Sequence, residues 1–202
     1  MKQTSVFLWY PNLIGYFRIT SLFIALSFAM SSPILATCFY AISQLLDAVD
    51  GTVARAYNQC SKFGALLDML TDRMSTMCLL IIIAIKDNNR WFPFVLVIVL
   101  DLVAHWAQMY SSLMIGIQSH KENTNPILAF YYSFPFLLIF CVGNELYIIV
   151  TYLQLFFLKS TFLQATLYIS FPFFMCKNFF NVVQLIESSQ RLAALDTPVK
   201  NK

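Results

Sequence analysis

Charge is scarce in this chain. Asp, Glu, Lys and Arg make up 11% of its 202 residues, against roughly 25% in an average soluble domain. That deficit excludes a water-soluble globular fold. With 59% hydrophobic residues and a mean hydropathy of +0.68, the sequence reads as an all-α integral membrane protein. The basic surplus is small as well, 13 Lys and Arg against 10 Asp and Glu, so nucleic-acid binding is excluded as the main function. The five cysteines, Cys38, Cys60, Cys78, Cys141 and Cys176, stand apart and form no CxxC pair. They offer neither a disulfide framework nor a zinc site and read as small hydrophobes. The only histidines, His105 and His120, share no metal-ligand spacing. Gly/Ser or Pro-rich linkers, internal repeats and low-complexity runs are missing, so residues 1–202 read as a single domain. The N-terminal MKQTSVFLWY lacks the long apolar core of a signal peptide and reads as a short segment lying at the membrane interface.

What is present is a series of apolar runs divided by turn signals. Six spans are expected, at about 13–31, 33–54, 64–85, 92–117, 127–154 and 161–186, with 187–202 as a cytosolic, partly disordered tail. Six spans put both termini on one side. That side collects Lys2, Arg55, Lys62, Lys121, Arg191, Lys200 and Lys202, and the other has Lys86, Arg90 and Lys159. The positive-inside rule then assigns the termini and the loop at 56–63 to the cytosol. Basic residues in the tail suit contact with anionic membrane lipids.

The second and third spans contain charges that a lipid-facing helix would not keep: Asp47, Asp50, Arg55, Asp68, Asp72 and Arg73. Asp47 and Asp50 are three apart, and Asp68 and Asp72 four apart, so each pair shares one helix face. A short loop joins the spans, which makes them expected antiparallel neighbours whose pairs converge. Four carboxylates meeting in a low-dielectric site need a compensating cation. Oxygen-only ligands select a hard ion, so Mg²⁺ or Mn²⁺ is expected, and such sites keep open positions for substrate phosphates. Around them, Gly51, Ala54 and Gly64 form a small surface for close approach, and Arg55 offers a phosphate-binding fork. Ser61 can either receive a phosphate at the start of the third span or cap that helix. Arg18, Arg73 and Lys177 are further intramembrane cations, scattered along the sequence. A cation channel or transporter would also hold intramembrane carboxylates, but its site tends to lie near the midplane, whereas these cluster at one end of two spans.

The pattern Asp47-x2-Asp50-Gly51-x2-Ala54-Arg55-x8-Gly64-x3-Asp68-x3-Asp72 agrees with the signature of the CDP-alcohol phosphatidyltransferases at eight fixed positions, and the chain resembles that family. The resemblance implies a six-helix membrane enzyme, usually a homodimer, that transfers a substituted phosphate from a CDP-linked donor to an alcohol and releases CMP. It implies that Asp47, Asp50, Asp68 and Asp72 bind the divalent metals, and that Asp72 is also the general base. Gly51, Ala54, Arg55 and Ser61 fall where the family contacts the CDP group. Asn12 falls where the family has a polar residue near the donor phosphates, though an Asn after Pro is also an ordinary helix cap.

Outside the signature the sequence is similar to the eukaryotic, inositol-using branch of the family. The matching stretches include Pro11-Asn12-Leu13-Ile14-Gly15-Tyr16, Leu70-Thr71-Asp72-Arg73, His105-Trp106, Ser119-His120-Lys121, Gly143-Asn144-Glu145-Leu146 and Ala193-Ala194-Leu195-Asp196. This implies CDP-diacylglycerol as donor, myo-inositol as acceptor and the endoplasmic reticulum as location, ahead of glycerol phosphate or serine as acceptor. An uncharged polyol needs many hydrogen-bonding groups, so Arg73, Asp101, His105, Lys121, Glu145 and Lys177 are candidates for its pocket. For Asp101 and His105, one turn apart, pairing within the bundle is the competing reading, and for the others helix-end snorkelling or bundle pairing.

Overall fold

Prolines and capping residues set the helix starts. Pro11, Pro33 and Pro126 each occupy the first turn of a helix, where a missing N–H costs nothing. Ser61 caps another by accepting from Gly64 N at 2.9 Å. The computed structural model describes residues 5–116 and 125–196. A 3-10 turn at Val6–Leu8 leads into α1 (Tyr10–Phe28), α2 (Pro33–Ala56), α3 (Lys62–Lys86), α4 (Trp91–Ile115), α5 (Pro126–Tyr132), α6 (Phe136–Gln154) and α7 (Thr161–Asp196). Gly116 ends α4 in the left-handed region, at φ 75°.

Helices α2, α4, α6 and α7 are each long and apolar enough to cross a membrane. Helices α1 and α3 have comparable length, 19 and 25 residues, but carry Arg18 and the group Asp68, Asp72 and Arg73. Large apolar side chains such as Phe23, Ile85, Leu113 and Tyr168 face outward, as a lipid-contacting surface requires. The chain is an integral membrane protein.

Three expectations are corrected. The fifth expected span, 127–154, is broken between α5 and α6 at Ser133–Pro135. Pro135 has no N–H to donate and its ring disfavours a helical Phe134, and the helix breaks here, whereas α7 continues through Pro172. The tail, expected to be partly disordered from 187 onward, is helical as far as Asp196. Its helix-forming residues are supported by an Arg191–Glu187 ion pair one turn apart and by a bond from Ser188 Oγ to Gln108 Oε1 of α4, 2.6 Å. Finally, α2 and α3 touch each other only slightly; α1 packs against both. A short loop therefore joins two helices whose main common neighbour is a third.

Helix α7 packs on α4 and α6, and α3 reaches α4 and α6. The apolar core gathers at one end of the bundle. It is built from Leu22, Ala25 and Ala29 of α1 and its C-terminal turn, Tyr40 of α2, Leu79, Leu80 and Ile83 of α3, and Tyr147, Ile148 and Tyr152 of α6. Tyr152 donates its hydroxyl to Ala29 O at 2.7 Å, tying α6 to the end of α1. The other halves of α2 and α3 carry the signature residues, and the other half of α1 carries Arg18.

A Cβ on Gly143 would overlap the Cβ and ring of Phe173, so glycine lets α6 and α7 approach closely. Ala is the better helix former in water, yet here it overpacks. Gly143→Ala should therefore lower stability by about 1–3 kcal/mol, read as a lower thermal midpoint of the detergent-solubilised protein. An unchanged or raised midpoint would contradict the close packing.

Candidate active site

The four signature carboxylates converge, and a guanidinium stands at their centre. Arg18, from α1, has a side chain with no exposed surface. Its Nη2 lies 2.8 Å from Asp47 Oδ1 and also bonds Asp72 Oδ1; its Nη1 lies 2.7 Å from Asp50 Oδ2 and 2.8 Å from Asp68 Oδ1. The Nε donates to Ser43 O at 3.2 Å, and Ser43 Oγ donates back to Arg18 O at 3.0 Å. Sequence spacing could not reveal Arg18 as a member of the site, because its partners are 25 to 54 residues away. The available signal was a lone Arg in an otherwise apolar helix.

The donor set fits a hard divalent cation. Carboxylate oxygens of Asp47, Asp50 and Asp68 lie within 4.8 Å of one another, an all-oxygen donor set of the kind hard divalent cations take. Exposure rises from Asp50, at 10% of its side chain, to Asp68, at 46%, so the cluster opens on the Asp68 side.

Neighbouring residues prepare this arrangement. The Asp72 carbonyl accepts from Ser75 Oγ at 2.9 Å, and Ser75 Oγ accepts in turn from Gln44 Nε2 of α2 at 2.8 Å. Arg55 is exposed at the end of α2 and lies against Gly51, where a Cβ would stand 3.4 Å from Nη1. Ala54 is half-buried beside it. Ser61 takes the capping alternative, while its own hydroxyl proton remains free to donate. Asn12 does not cap α1, whose N-cap is Trp9. It is buried, its amide donates to Val6 O at 2.6 Å, and a Cβ on Gly64 would meet its Oδ1 at 2.9 Å. The 3-10 turn, α1 and the start of α3 are thus fastened together, with Phe7 on Phe63 at 4.8 Å between ring centroids.

A second polar network lies directly behind Asp72. Arg73 Nη1 is 3.0 and 3.1 Å from the two oxygens of Asp101, and Arg73 Nη2 is 3.6 Å from Asp72 Oδ2. Asn181 of α7 donates to Asp101 Oδ1 at 3.0 Å and accepts from Lys177 Nζ at 2.8 Å. His105 Nδ1 donates to the Asp101 carbonyl at 2.8 Å. Close by, Glu145 accepts from Tyr40 at 2.8 Å and lies 3.2 Å from Thr76 Oγ1. Arg73, Asp101, His105 and Lys177 are therefore brought together, whereas Lys121 lies outside the described residues. Arg73 and His105 also border an open groove of about 460 Å³ between α3 and α4. Its other walls are apolar, which does not suit a polyol.

Because Asp101 compensates a largely buried Arg73, Asp101→Ala should destabilise the protein by on the order of 3 kcal/mol, measured as the shift in thermal unfolding in detergent. A near-neutral result would show that Asp72 alone balances Arg73.

Residues 8–159 match the CDP-alcohol phosphatidyltransferase family. The chain is 41% identical over its whole length to human CDP-diacylglycerol–inositol 3-phosphatidyltransferase, covering 99% of that protein. It is 41% identical to the Saccharomyces cerevisiae protein of the same name, across 96% of this chain and 90% of that one. The corresponding Drosophila melanogaster protein is 39% identical, across 96% and 89%. No solved structure gives a significant match. With the signature intact and its carboxylates gathered in one site, the chain belongs to the CDP-alcohol phosphatidyltransferase family.

Proposed function

We propose that the protein transfers the phosphatidyl group of CDP-diacylglycerol to myo-inositol, giving phosphatidylinositol and CMP. The observation that carries this is the convergence of Asp47, Asp50, Asp68 and Asp72 at one end of the bundle. Full-length similarity to relatives named for the inositol reaction supports the choice of acceptor.

Asp47, Asp50, Asp68 and Asp72 would hold Mg²⁺ or Mn²⁺, which when bound supplies charge neutralisation for the diphosphate and for the departing CMP. Arg55 grips the phosphates with its fork, and the Ser61 hydroxyl at the start of α3 offers one more donor. Gly51 and Ala54 leave room for the nucleotide, while Asn12 holds the adjoining backbone. Asp72 accepts the proton of the inositol hydroxyl through Oδ2, the oxygen that Arg18 leaves free. The inositol oxygen bonds to the β-phosphorus as the bond from that phosphorus to the CMP oxygen breaks, and CMP departs with the electron pair.

Arg73, Asp101, His105 and Lys177 recognise the acceptor, with Lys121 a further candidate. Support comes from the gathering of these polar side chains next to Asp72. Seven basic residues against three favour the site end, and both termini, facing the cytosol. A homodimer and the endoplasmic reticulum follow from the resemblance.

The test is CMP release from CDP-diacylglycerol by purified protein with Mg²⁺ or Mn²⁺, comparing inositol, glycerol phosphate, serine and no acceptor. Inositol-dependent release is expected, with Asp72→Asn about 10²–10⁴-fold slower in folded protein. Release with another acceptor would overturn the inositol assignment, and full activity in Asp72→Asn would remove the base.

A further inference from the structure

Arg18 touches all four signature carboxylates yet lies outside the signature, and its geometry is complete. A guanidinium has five N–H donors in a fixed fork. Here each finds an acceptor: Nε on Ser43 O, Nη1 on Asp50 and Asp68, and Nη2 on Asp47 and Asp72. The acceptors come from both α2 and α3, two helices that scarcely touch. Arg18 takes Oδ1 of Asp47, Asp68 and Asp72 and Oδ2 of Asp50. One oxygen of every carboxylate is thus occupied by Arg18 from the buried side, and Arg18 leaves the other alone.

We propose that Arg18 is the positioning residue of this site, a resident countercharge that gathers the four carboxylates and keeps the site assembled before any metal arrives. This rests on reading the Asp cluster as a metal centre. Four carboxylates and one guanidinium sum to a charge of −3, enough to attract divalent cations while the strongest mutual repulsion is already relieved. Without Arg18 only a metal could hold the carboxylates together, and folding would become metal-dependent. A lysine retains the charge but has three donors on a single nitrogen, so it cannot span four carboxylates and Ser43.

The experiment is thermal unfolding of the full-length protein in detergent, in EDTA and in excess Mn²⁺, for wild type, Arg18→Met, Arg18→Lys and Asp47→Asn. Wild type should gain only the modest upward shift in Mn²⁺ that binding to the folded state supplies, smaller than that of either Arg18 variant. Arg18→Met should lose about 5 °C or more in EDTA and recover most of that in Mn²⁺, with Arg18→Lys intermediate. Folding of Arg18→Met only when Mn²⁺ is present would be the extreme of the same result. If it folds in neither condition, the EDTA-to-Mn²⁺ difference of Arg18→Lys decides in the same way. Equal destabilisation in EDTA and Mn²⁺ would reduce Arg18 to a helix clamp and overturn the inference. An Mn²⁺ shift that is lost in Asp47→Asn but no larger in Arg18→Met or Arg18→Lys than in wild type would overturn it while leaving the metal centre standing. No Mn²⁺ effect on any variant would overturn the metal reading and this inference together.

Discussion

Like charges crowded at membrane depth must be compensated, and that requirement organises this fold. Each Asp of the cluster is costly in a low-dielectric surrounding, and each raises the cost of the next. The compensation comes from α1, which explains why that helix packs along α2 and also reaches α3. An α2–α3 pair packed directly against each other would have left no room for a guanidinium between the carboxylates. The slight contact between those helices is the spatial counterpart of the Arg18 ion cluster.

Behind the cluster, polar groups continue in an unbroken series. Asp72 leads through Arg73 to Asp101, then to Asn181 and Lys177 of α7. Through Ser75 it leads to Gln44 of α2. Charges alternate in sign along the first of these routes, so almost every ionised group has a partner of opposite charge or a hydrogen bond. Such networks are stable when satisfied throughout and fragile when one member is removed. The unpartnered Arg73 Nε is the exception, and it lies next to the residue assigned the proton transfer.

Local pattern made much of this legible. The four Asp positions followed from spacings of three and four residues in apolar surroundings, and the long helices from the apolar runs. Expectations failed where tertiary placement decides. Arg18 looked like one of several scattered cations because its register against α2 and α3 is not encoded within α1. A short loop suggested that α2 and α3 are packed neighbours, yet loop length limits only how far apart helix ends lie. The break at Ser133–Pro135 was missed because hydropathy averages over a single proline. The helical tail was missed because the contacts that support it, to Gln108 of α4 and within the Glu187–Arg191 turn, are not visible as hydropathy.

The separation of apolar core and charged cluster to opposite ends of the same helices makes those helices levers. Ala29, held by Tyr152, and Arg18 are 11 positions apart in the sequence, roughly 16 Å along the axis of α1 at 1.5 Å per residue. A tilt of about 4° at the fixed end would carry the guanidinium roughly 1 Å, beyond the ~0.5 Å within which a catalytic constellation must be held. Tightness of fit among Ala25, Ala29, Leu80 and Ile83 thus sets the mechanical tolerance of chemistry far from them, and small residues in that remote packing bear on catalysis without touching a substrate.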